Sequence, residues 1–369
     1  MAENSRCSRS YVFKSGIIAV LVLTASNLVF FMVYERFSYH GIHTRMSNLL
    51  TYSRNISYEI EQIVQRFNGT VQFNGSSYMR TDVTNDTIQS SLAKCPENPP
   101  KLVGPLATYK RSPSFPEIEK EYSWLLAGGC YTPLECQSDH RVAVIIPYRN
   151  RQQQLKTFLY NIHPILQRQQ IHYGIYVIEQ SGNSTFNRAL LMNIGYAESV
   201  KINNYNCFVF HDVDLIPEDD RIHYGCGKQP RHLSAAIDKF QYRLPYKNLF
   251  GGVSQLPKEV FVRINGFSNK YFGWGGEDDD LSVRVRTEGY TVERYSMNIA
   301  RYRMIKHEHE SSIAQNFSRF GLLKKANKRY KTDGLNSLKY QVLNITYNKL
   351  YTMVSVLVKQ SDYKMTTLE

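Results

Sequence analysis

The feature that most constrains this chain is a regular alternation of strand-like and helix-like segments between residues 142 and 214. The segments VAVIIPYRN, YGIYVIEQ and CFVFHDVD are short, apolar and rich in β-branched or aromatic residues, which is typical of buried strands. QQQLKTFLYNIHPILQRQ and FNRALLMNIGYAESV, which separate them, have the length and pattern of helices. This order predicts parallel pairing in an α/β fold with a Rossmann-like sheet.

Polar residues follow each of the three predicted strands. They lie at 147–151, at 179–182, and at Asp212 and Asp214. Because ligands of open α/β sheets bind beyond the carboxyl ends of the strands, we expect these residues to meet at one edge. After residue 214 the pattern is irregular, with many Gly and aromatic residues, which predicts loops that build a second binding site.

An apolar segment near the N-terminus is a second constraint, because residues 16–34 carry no charge. At ~1.5 Å per residue, such a helix would span close to the ~30 Å hydrocarbon layer, which predicts a membrane anchor over residues 15–34. A cleaved signal peptide is the alternative, but the segment is longer than the usual ~7–15 apolar residues and offers no small-residue cleavage site. Lys and Arg are balanced on its two sides and do not settle the orientation.

Glycosylation sequons indicate which side of the anchor faces the lumen. Seven Asn-x-Ser/Thr sequons follow the anchor and none precedes it, so we expect a cytoplasmic tail at residues 1–14 and a lumenal remainder. Residues 35–94, rich in Ser, Thr, Asn and Gln, predict a flexible stem, and a folded domain is expected over residues 95–369. Glycans are expected only at the first four of the seven sequons, which lie at Asn55, Asn68, Asn74, Asn85, Asn183, Asn316 and Asn344.

Cysteines and charge further limit the interpretation. Five of the six cysteines follow the anchor, where an oxidising lumen permits disulfides, and an odd number leaves one thiol over. Cys7, which precedes the anchor, is either an unpaired thiol or a palmitoylation site. The net charge is +13, but 27 Tyr and 18 Phe accompany scattered basic residues, so no nucleic-acid partner is expected.

Three motifs carry candidate chemistry. In HDVDLIPEDD, Asp212 and Asp214 end an otherwise apolar strand, where two carboxylates can share a divalent cation with a diphosphate. In RMIKHEHE, His307 and Met304 are, on residue type alone, more often surface or core residues than metal ligands. In YFGWGGEDDD, the four acids 277–280 follow a Gly-rich turn, and their mutual repulsion should raise at least one pKa, which suits a general base.

These motifs belong to a longer set of segments that resembles a known family. The resemblance is carried by CPENPPKLVGP, GGCYTP, VAVIIPYRNR, YGIYVIEQ, NCFVFHDVDLIPEDD, FGGVS, INGFSNKYFGWGGEDDD, RMIKH and DGLNSL. They are similar to segments of the β-1,4-galactosyltransferase family, nearly continuously from residue 95 to about residue 351. The resemblance implies a GT-A type α/β domain that uses Mn²⁺ to transfer a sugar from a UDP-sugar.

The resemblance also implies where donor and metal bind. It places Mn²⁺ ligands at Asp214, Met304 and His307, which reverses the expectation from residue type for Met304. Eleven positions match the family's donor site: Pro147, Tyr148, Arg149, Arg151, Phe186, Arg188, Asp212, Val213, Lys239, Leu249 and Gly252.

On the acceptor side, Asp278 matches the family's general base, with Glu277 and Asp279 arranging the acceptor. Trp274 matches the tryptophan of a mobile loop that closes over the donor. The pocket for the acceptor's N-acetyl group matches Arg319, Phe320 and Leu323. The implied disulfides are Cys95 with Cys136 and Cys207 with Cys226, with Cys130 as the leftover thiol.

One departure from the family pattern bears on the donor sugar. Vertebrate galactosyltransferases of the family carry Tyr immediately before FGG, whereas this chain carries Leu249. The shorter side chain leaves room for an acetamido group, as in invertebrate members that transfer GalNAc, so UDP-GalNAc is the expected donor. UDP-Gal is the alternative, in case neighbouring changes refill the space.

The implied reaction is a single displacement in which Asp278 deprotonates O4 of the acceptor and the anomeric configuration inverts. We expect an acceptor that ends in β-linked GlcNAc, on a glycoprotein or a glycosphingolipid, and GalNAc-β-1,4-GlcNAc as product. The expected setting is the Golgi membrane in single-pass type II orientation, with a homodimer as a further option. A silent GlcNAc-binding lectin is the alternative class, and the intact Asp214, Met304, His307 and Asp278 argue against it.

Overall fold

A computed structural model of the chain describes residues 92–109, 111–305 and 317–363. The expected tail, the anchor and nearly all of the stem lie outside these ranges, as do Cys7, His307, Asn55, Asn68, Asn74, Asn85 and Asn316. Within the described ranges, no helix is both long and apolar enough to cross a membrane. The anchor and the domain boundaries therefore stay predictions.

The strands of the described residues form two sheets. Their bounds are β1 Arg141–Tyr148, β2 His172–Ser181, β3 Cys207–His211, β4 Leu215–Pro217, β5 Arg231–His232, β6 Ala236–Ile237, β7 Val253–Pro257, β8 Glu293–Arg294, β9 Arg301–Met304, β10 Gln341–Tyr347 and β11 Thr352–Leu357. The larger sheet has the order β10-β11-β2-β1-β3-β7-β5-β8, and the smaller has the order β4-β9-β6. Because β1 pairs in parallel with both β2 and β3, the predicted parallel core is confirmed.

Helices cover the sheet and connect its strands. Their bounds are α1 Phe115–Glu121, α2 Gln152–Arg168, α3 Arg188–Ile202, α4 Lys258–Arg263, α5 Glu277–Thr287, α6 Arg319–Lys324 and α7 Ala326–Arg329. The two helices that the sequence predicts are α2 and α3. At the start of α3, the Asn187 side chain accepts a 2.9 Å hydrogen bond from the Leu190 amide, so a favoured N-cap residue sets this boundary.

The two faces of β1 pack against different helices. Val142, Val144 and Ile146 share one apolar cluster with residues of α2, whereas Ala143 and Ile145 share another with residues of α3. Successive strand residues point to opposite faces, so a strand covered on both sides needs a continuous apolar run. Burial of each large aliphatic side chain contributes about 1.5–3 kcal/mol. This packing fixes the carboxyl ends of β1 and β3 at one edge.

The part of the chain after residue 214 is more regular than the sequence predicts. β7 pairs antiparallel with β3, and the β10–β11 hairpin adds β11 in parallel to β2. The side chains of β10 are exposed or half-buried, so this strand lacks the apolar run that identifies β1 and β2. Apolar periodicity alone therefore missed the hairpin.

Two disulfides join Cys95 to Cys136 and Cys207 to Cys226, which confirms the implied pairing. The prediction that Cys130 is a leftover thiol is wrong. Cys130 is also disulfide-bonded, and no cysteine in the described part of the chain is free.

Candidate active site

The ends of β1 and β2 form the part of the site that the resemblance assigns to the nucleotide. The Arg149 guanidinium lies over the Phe186 ring at 5.1 Å and donates to the Ser184 carbonyl at 2.8 Å. Tyr148 is buried at the end of β1, and burial is the main reason that the pKa of its hydroxyl is raised. Two matched residues flank this group: Pro147 lies within β1 and Arg151 directly precedes α2. The Phe186 ring is suited to stack on a nucleobase, and the Arg149 guanidinium is suited to bind a phosphate group.

Arg188 connects the end of β3, on the side matched to the donor, with the acidic residues at the start of α5. Its Nε donates to Asp212 Oδ1 at 2.6 Å, and its Nη1 lies 3.4 Å from Glu277 Oε1. Burial alone would lower the pKa of Arg188, but the carboxylates of Asp212 and Glu277 raise it on balance. The guanidinium therefore stays charged and holds the end of β3 against the start of α5.

Gly252 fixes the end of β3 from the other side. Its carbonyl accepts the Asp212 amide at 3.1 Å and Arg188 Nη2 at 3.3 Å. Its φ of 74° is one that side-chain-bearing residues rarely adopt, and an added Cβ would also overlap the Ser234 hydroxyl. Val213, the central residue of the DVD motif, is 8% exposed. The DVD motif is thus held in place by backbone hydrogen bonds and by side-chain packing.

Two of the three matched metal ligands lie next to each other. β4 and β9 pair with Leu215 opposite Met304, and the Ile305 amide donates to the Asp214 carbonyl at 2.7 Å. Burial, followed by the charge of Asp212, raises the pKa of Asp214 to about 7. His307 lies outside the described residues, and the ranges that are described contain no group of three or more His, Cys, Asp or Glu placed for a metal.

Lys239 lies beside this pair of strands. The Asp238 carboxylate accepts the Met304 amide at 2.9 Å, which holds the 3-10 turn Asp238–Phe240 against β9. The Lys239 side chain is exposed, with its Nζ 5.8 Å from the centre of the Phe240 ring. The backbone thus places this lysine near Met304 and leaves its amine accessible to an anionic ligand.

The four consecutive acids divide between two environments at the start of α5. Glu277 and Asp278 are half-buried, and burial followed by Asp278 raises the pKa of Glu277 to about 7. Burial followed by the charge of Asp279 raises the pKa of Asp278, and Arg188 opposes this shift. Asp280 is fully buried and pairs with Arg284 at 2.5 Å. The acids that remain near solvent are those matched to catalysis.

Two residues that the sequence reasoning missed position this acidic group. An added Cβ on Gly251 would overlap Asp278 Oδ2, so the close approach of the segment before β7 to α5 requires glycine. The Tyr246 hydroxyl donates to Asp279 Oδ1 at 2.9 Å. The FGG segment hints at the first contact, whereas nothing local to LPYKN identifies the second.

The loop that carries Leu249 is held from outside. Arg294 Nη2 donates to the Lys247 carbonyl at 2.9 Å and to the Leu249 carbonyl at 2.8 Å. The Leu249 side chain is half-buried. Arg294, which the sequence did not single out, therefore fixes the backbone of the residue that bears on donor choice.

An aromatic surface borders the acidic group on the acceptor side. Trp274 is 62% exposed, and the Arg319 guanidinium lies 5.3 Å from the centre of its ring and 4.9 Å from that of Phe320. Phe320 is 70% exposed, and Leu323, one turn later on α6, is half-buried. Gly275, with a φ of 103°, packs against Arg319. These contacts bring together the residues matched to the acceptor pocket.

The assembled site has three chemical capabilities. Asp212 and Asp214 follow β3 and Met304 ends β9, so oxygen and sulfur donors for a cation lie on neighbouring segments. Arg149 and Phe186 can hold a nucleotide, and the half-buried acids can accept a proton. The individual roles stay predictions. The structure adds that the three groups share the edge at the carboxyl ends of β1 and β3.

The chain is similar to known glycosyltransferases in both sequence and fold. Residues 95–227 match the family described as the N-terminal region of glycosyl transferase group 7, and residues 231–308 match the one described as the N-terminal domain of galactosyltransferase. The chain is similar to β-1,4-galactosyltransferase 1 of Mus musculus, with 50% identity over 267 residues, which are 72% of this chain and 67% of that protein.

Solved structures of a galactosyltransferase are also similar to this chain. The chain is similar to the catalytic domain of Drosophila β-1,4-galactosyltransferase 7 in complex with xylobiose, with a TM-score of 0.52 and 28% identity over 60% of this chain and 94% of that chain. A variant of that enzyme in complex with manganese, UDP-Gal and xylobiose gives a TM-score of 0.51, with the same identity and coverage. The α/β fold is thus one used by glycosyltransferases.

Proposed function

The chain belongs to the β-1,4-galactosyltransferase family, and on that premise we propose that it is an inverting, Mn²⁺-dependent hexosyltransferase. In this proposal it joins a sugar from a UDP-sugar to O4 of a terminal β-linked GlcNAc. The observation that carries the proposal is the contact of Arg188 with both Asp212 and Glu277, at 2.6 and 3.4 Å, because it brings the donor half and the acidic half to one point.

The residues present fit a manganese ion. Asp214 supplies a carboxylate and Met304 a thioether on the neighbouring strand, with Leu215 paired opposite Met304. His307 would complete the set with a nitrogen ligand. The Drosophila relative that binds manganese together with UDP-Gal supports this choice of metal. When bound, the ion would offset negative charge on the leaving diphosphate.

The chain's own residues account for the proton and for the orientation of both substrates. Asp278 takes the proton from O4, and burial raises its pKa towards the value a general base needs near neutral pH. Glu277 and Asp279 accept hydrogen bonds from acceptor hydroxyl groups. O4 attacks the anomeric carbon from the face opposite UDP, so an α-linked donor gives a β-linked product. Trp274, which is exposed, would cover the donor and exclude water in this proposal.

Leu249 supports UDP-GalNAc as the donor in this proposal. Its side chain is half-buried, and Arg294 donates to its backbone carbonyl at 2.8 Å, which fixes the backbone at this position. A Tyr at this position would fill the space of an acetamido group, and its hydroxyl would lose water if buried without a partner. The expected product is therefore GalNAc-β-1,4-GlcNAc.

UDP-Gal is the second candidate donor. It is favoured by the names of the relatives, which are galactosyltransferases, and by the UDP-Gal in the Drosophila complex. The acceptor chemistry and the roles of Asp278 and Asp214 are the same for both donors.

The proposed setting is the Golgi lumen, with the catalytic domain attached to a single-pass type II anchor. Residues 16–34, the sequons that follow them and the two disulfides of the described domain support this placement. Glycoprotein and glycosphingolipid acceptors that end in GlcNAc would both be present there.

The test is a transfer assay on the full chain, purified from membranes in detergent. UDP-GalNAc and UDP-Gal are compared on a GlcNAc-β acceptor, with Mn²⁺ and with EDTA, for the wild type and for Leu249→Tyr. We expect Mn²⁺-dependent transfer with a preference for GalNAc, and a fall of about 10–200-fold in the ratio of kcat/KM for UDP-GalNAc to that for UDP-Gal in the variant.

Each other result rejects a defined part of the proposal. A wild-type preference for Gal rejects the argument from Leu249 and leaves the family assignment intact. Activity that is retained in EDTA rejects the requirement for Mn²⁺. No transfer from either donor, with retained GlcNAc binding, supports the lectin.

A further inference from the structure

The sequon at Asn344 lies on an edge of the larger sheet. β10 pairs with β11 on one side, and it is the terminal strand in the sheet order of the described residues. Asn344 and Thr346 are both exposed, and so is the apolar side chain of Leu343, at 49%. An edge strand with an apolar side chain is a surface on which another strand can pair.

A register shift turns the sequon outwards. Val342 pairs with Val356 and Asn344 with Ser355, so Leu343 is an extra residue between two ladder positions. Without it, Asn344 would point to the same face as Val342, which packs against the apolar core. With it, Ile345 faces the core instead, and Asn344 faces solvent.

The two reactive positions of the sequon share that outward face. Residues two apart on a strand point the same way, and the Asn344 amide donates to the Thr346 hydroxyl at 3.0 Å. Asn183 differs, because the carbonyl of the next residue, Ser184, accepts hydrogen bonds from Arg149 and Gln180 beside the nucleotide site.

We propose that Asn344 is N-glycosylated and that its glycan covers the β10 edge. This rests on the lumenal placement proposed above, and it extends the glycans expected from the sequence beyond the first four sequons. Asn344 Nδ2 forms a bond to the anomeric carbon of an oligosaccharide carried on a lipid diphosphate, and the bond from that carbon to the diphosphate oxygen breaks. The lipid diphosphate leaves, the amide nitrogen releases one proton to solvent, and its remaining N–H can still donate to Thr346.

The glycan is suited to this edge by size and solubility. A hydrated oligosaccharide attached in the middle of β10 would occupy the space that a second strand needs, and it would screen Leu343. Asn344 is separated from β2 by β11, which pairs in parallel with β2 next to Glu179. The modification therefore leaves the edge formed by β1 and β3 open.

The experiment uses the full chain expressed in animal cells, as wild type, Thr346→Ala and Thr346→Ser. The Ala variant removes the sequon, whereas the Ser variant removes only the methyl group of Thr346 and keeps the sequon. Purified protein is treated with peptide N-glycosidase in ¹⁸O water, and the peptide that contains residue 344 is examined by mass spectrometry. Self-association is followed by size-exclusion chromatography with light scattering.

We expect ¹⁸O-labelled aspartate at position 344 in the wild type and in Thr346→Ser, and unlabelled Asn344 in Thr346→Ala. We also expect more self-association in Thr346→Ala than in Thr346→Ser. Unmodified Asn344 in a chain whose stem sequons are labelled overturns the proposal, whereas a chain without label at any sequon contradicts the lumenal placement as well. Equal self-association of the two variants overturns the role at the edge. Transferase activity, measured on the same samples, separates these results from failure of the proposed function.

Discussion

The nucleotide edge of the sheet and the acceptor side meet at Arg188, but they are built from different kinds of structure. On the nucleotide edge, β1 and β3 are buried almost throughout, and the Asp212 amide is bonded to Gly252. On the acceptor side, Trp274 is largely exposed and follows a glycine with positive φ. The difference teaches that, in the proposed reaction, a packed sheet would fix the donor, whereas loops with few buried contacts would arrange the acceptor and could move.

The acidic run 277–280 repeats this contrast over four residues. Asp278 lies in the site, and Asp280 lies in the core, where Arg284 and Arg329 neutralise it at 2.5 and 2.7 Å. If this contrast is correct, a substitution at Asp278 should lower kcat, whereas a substitution at Asp280 should lower the free energy of unfolding.

Asp278→Asn is expected to have the largest effect. Removing the proton acceptor should lower kcat about 10²–10⁴-fold. KM for the UDP-sugar should change little, because Arg149 and Phe186 lie on the other half of the site. Steady-state kinetics measure both constants, with the exposed Glu259→Gln as a control. An unchanged kcat would assign the proton transfer to another group.

Asp280→Asn should act on stability instead. The change leaves the fully buried Arg284 without its closest carboxylate, and breaking such a pair costs about 3–5 kcal/mol. Denaturant unfolding measures the free energy of unfolding. Arg263→Gln is the control, because Arg263 forms a solvent-exposed pair with Glu288, and exposed pairs contribute little to stability. Equal losses in the two variants would remove the distinction between core and surface pairs.

Gly251→Ala tests the contact between Gly251, which precedes β7, and Asp278 on α5. The added Cβ would push the Asp278 carboxylate from its position, so kcat should fall about 10–100-fold while the fold persists. Circular dichroism and kcat are compared with those of Gly321→Ala, where an added Cβ meets nothing within 4 Å. Matching kcat values in the two variants would show that Asp278 has room to move.

Asp279→Asn should give the smallest effect, a shift in pH dependence. Asp278 must be deprotonated to act, so kcat/KM falls as pH falls through its raised pKa. The charge of Asp279 contributes to that rise, so removing it should move the acidic limb to lower pH. Tyr246→Phe keeps both charges and removes only the hydrogen bond, so its limb should stay in place. A limb that moves equally in both variants would contradict this origin.

The sequence predicts best those strands and helices whose apolar residues follow a regular local pattern. β1, β2 and β3 have apolar runs because both faces of the sheet are covered, and α2 and α3 follow at helical spacing. The two disulfides and the grouping of Asp214 with Met304 came instead from the family resemblance, since residue type alone argues against Met304 as a ligand.

What the sequence could not give depends on contacts between distant segments. Gly251 meets Asp278 only because β7 returns beside β3, and Arg294 reaches the Leu249 loop from β8. Tyr246 contacts Asp279 across 33 positions in a loop without a regular pattern. Such contacts have no signature in local composition or period, so only the assembled fold reveals them.

The most direct test of the account is the linkage and anomeric configuration of the disaccharide formed on a GlcNAc-β acceptor, read by NMR. A single displacement at an α-linked UDP-sugar with Asp278 as base predicts a β-linked product joined to O4, whichever of the two donors is preferred. An α-linked product, or a bond to any other hydroxyl group, would contradict it.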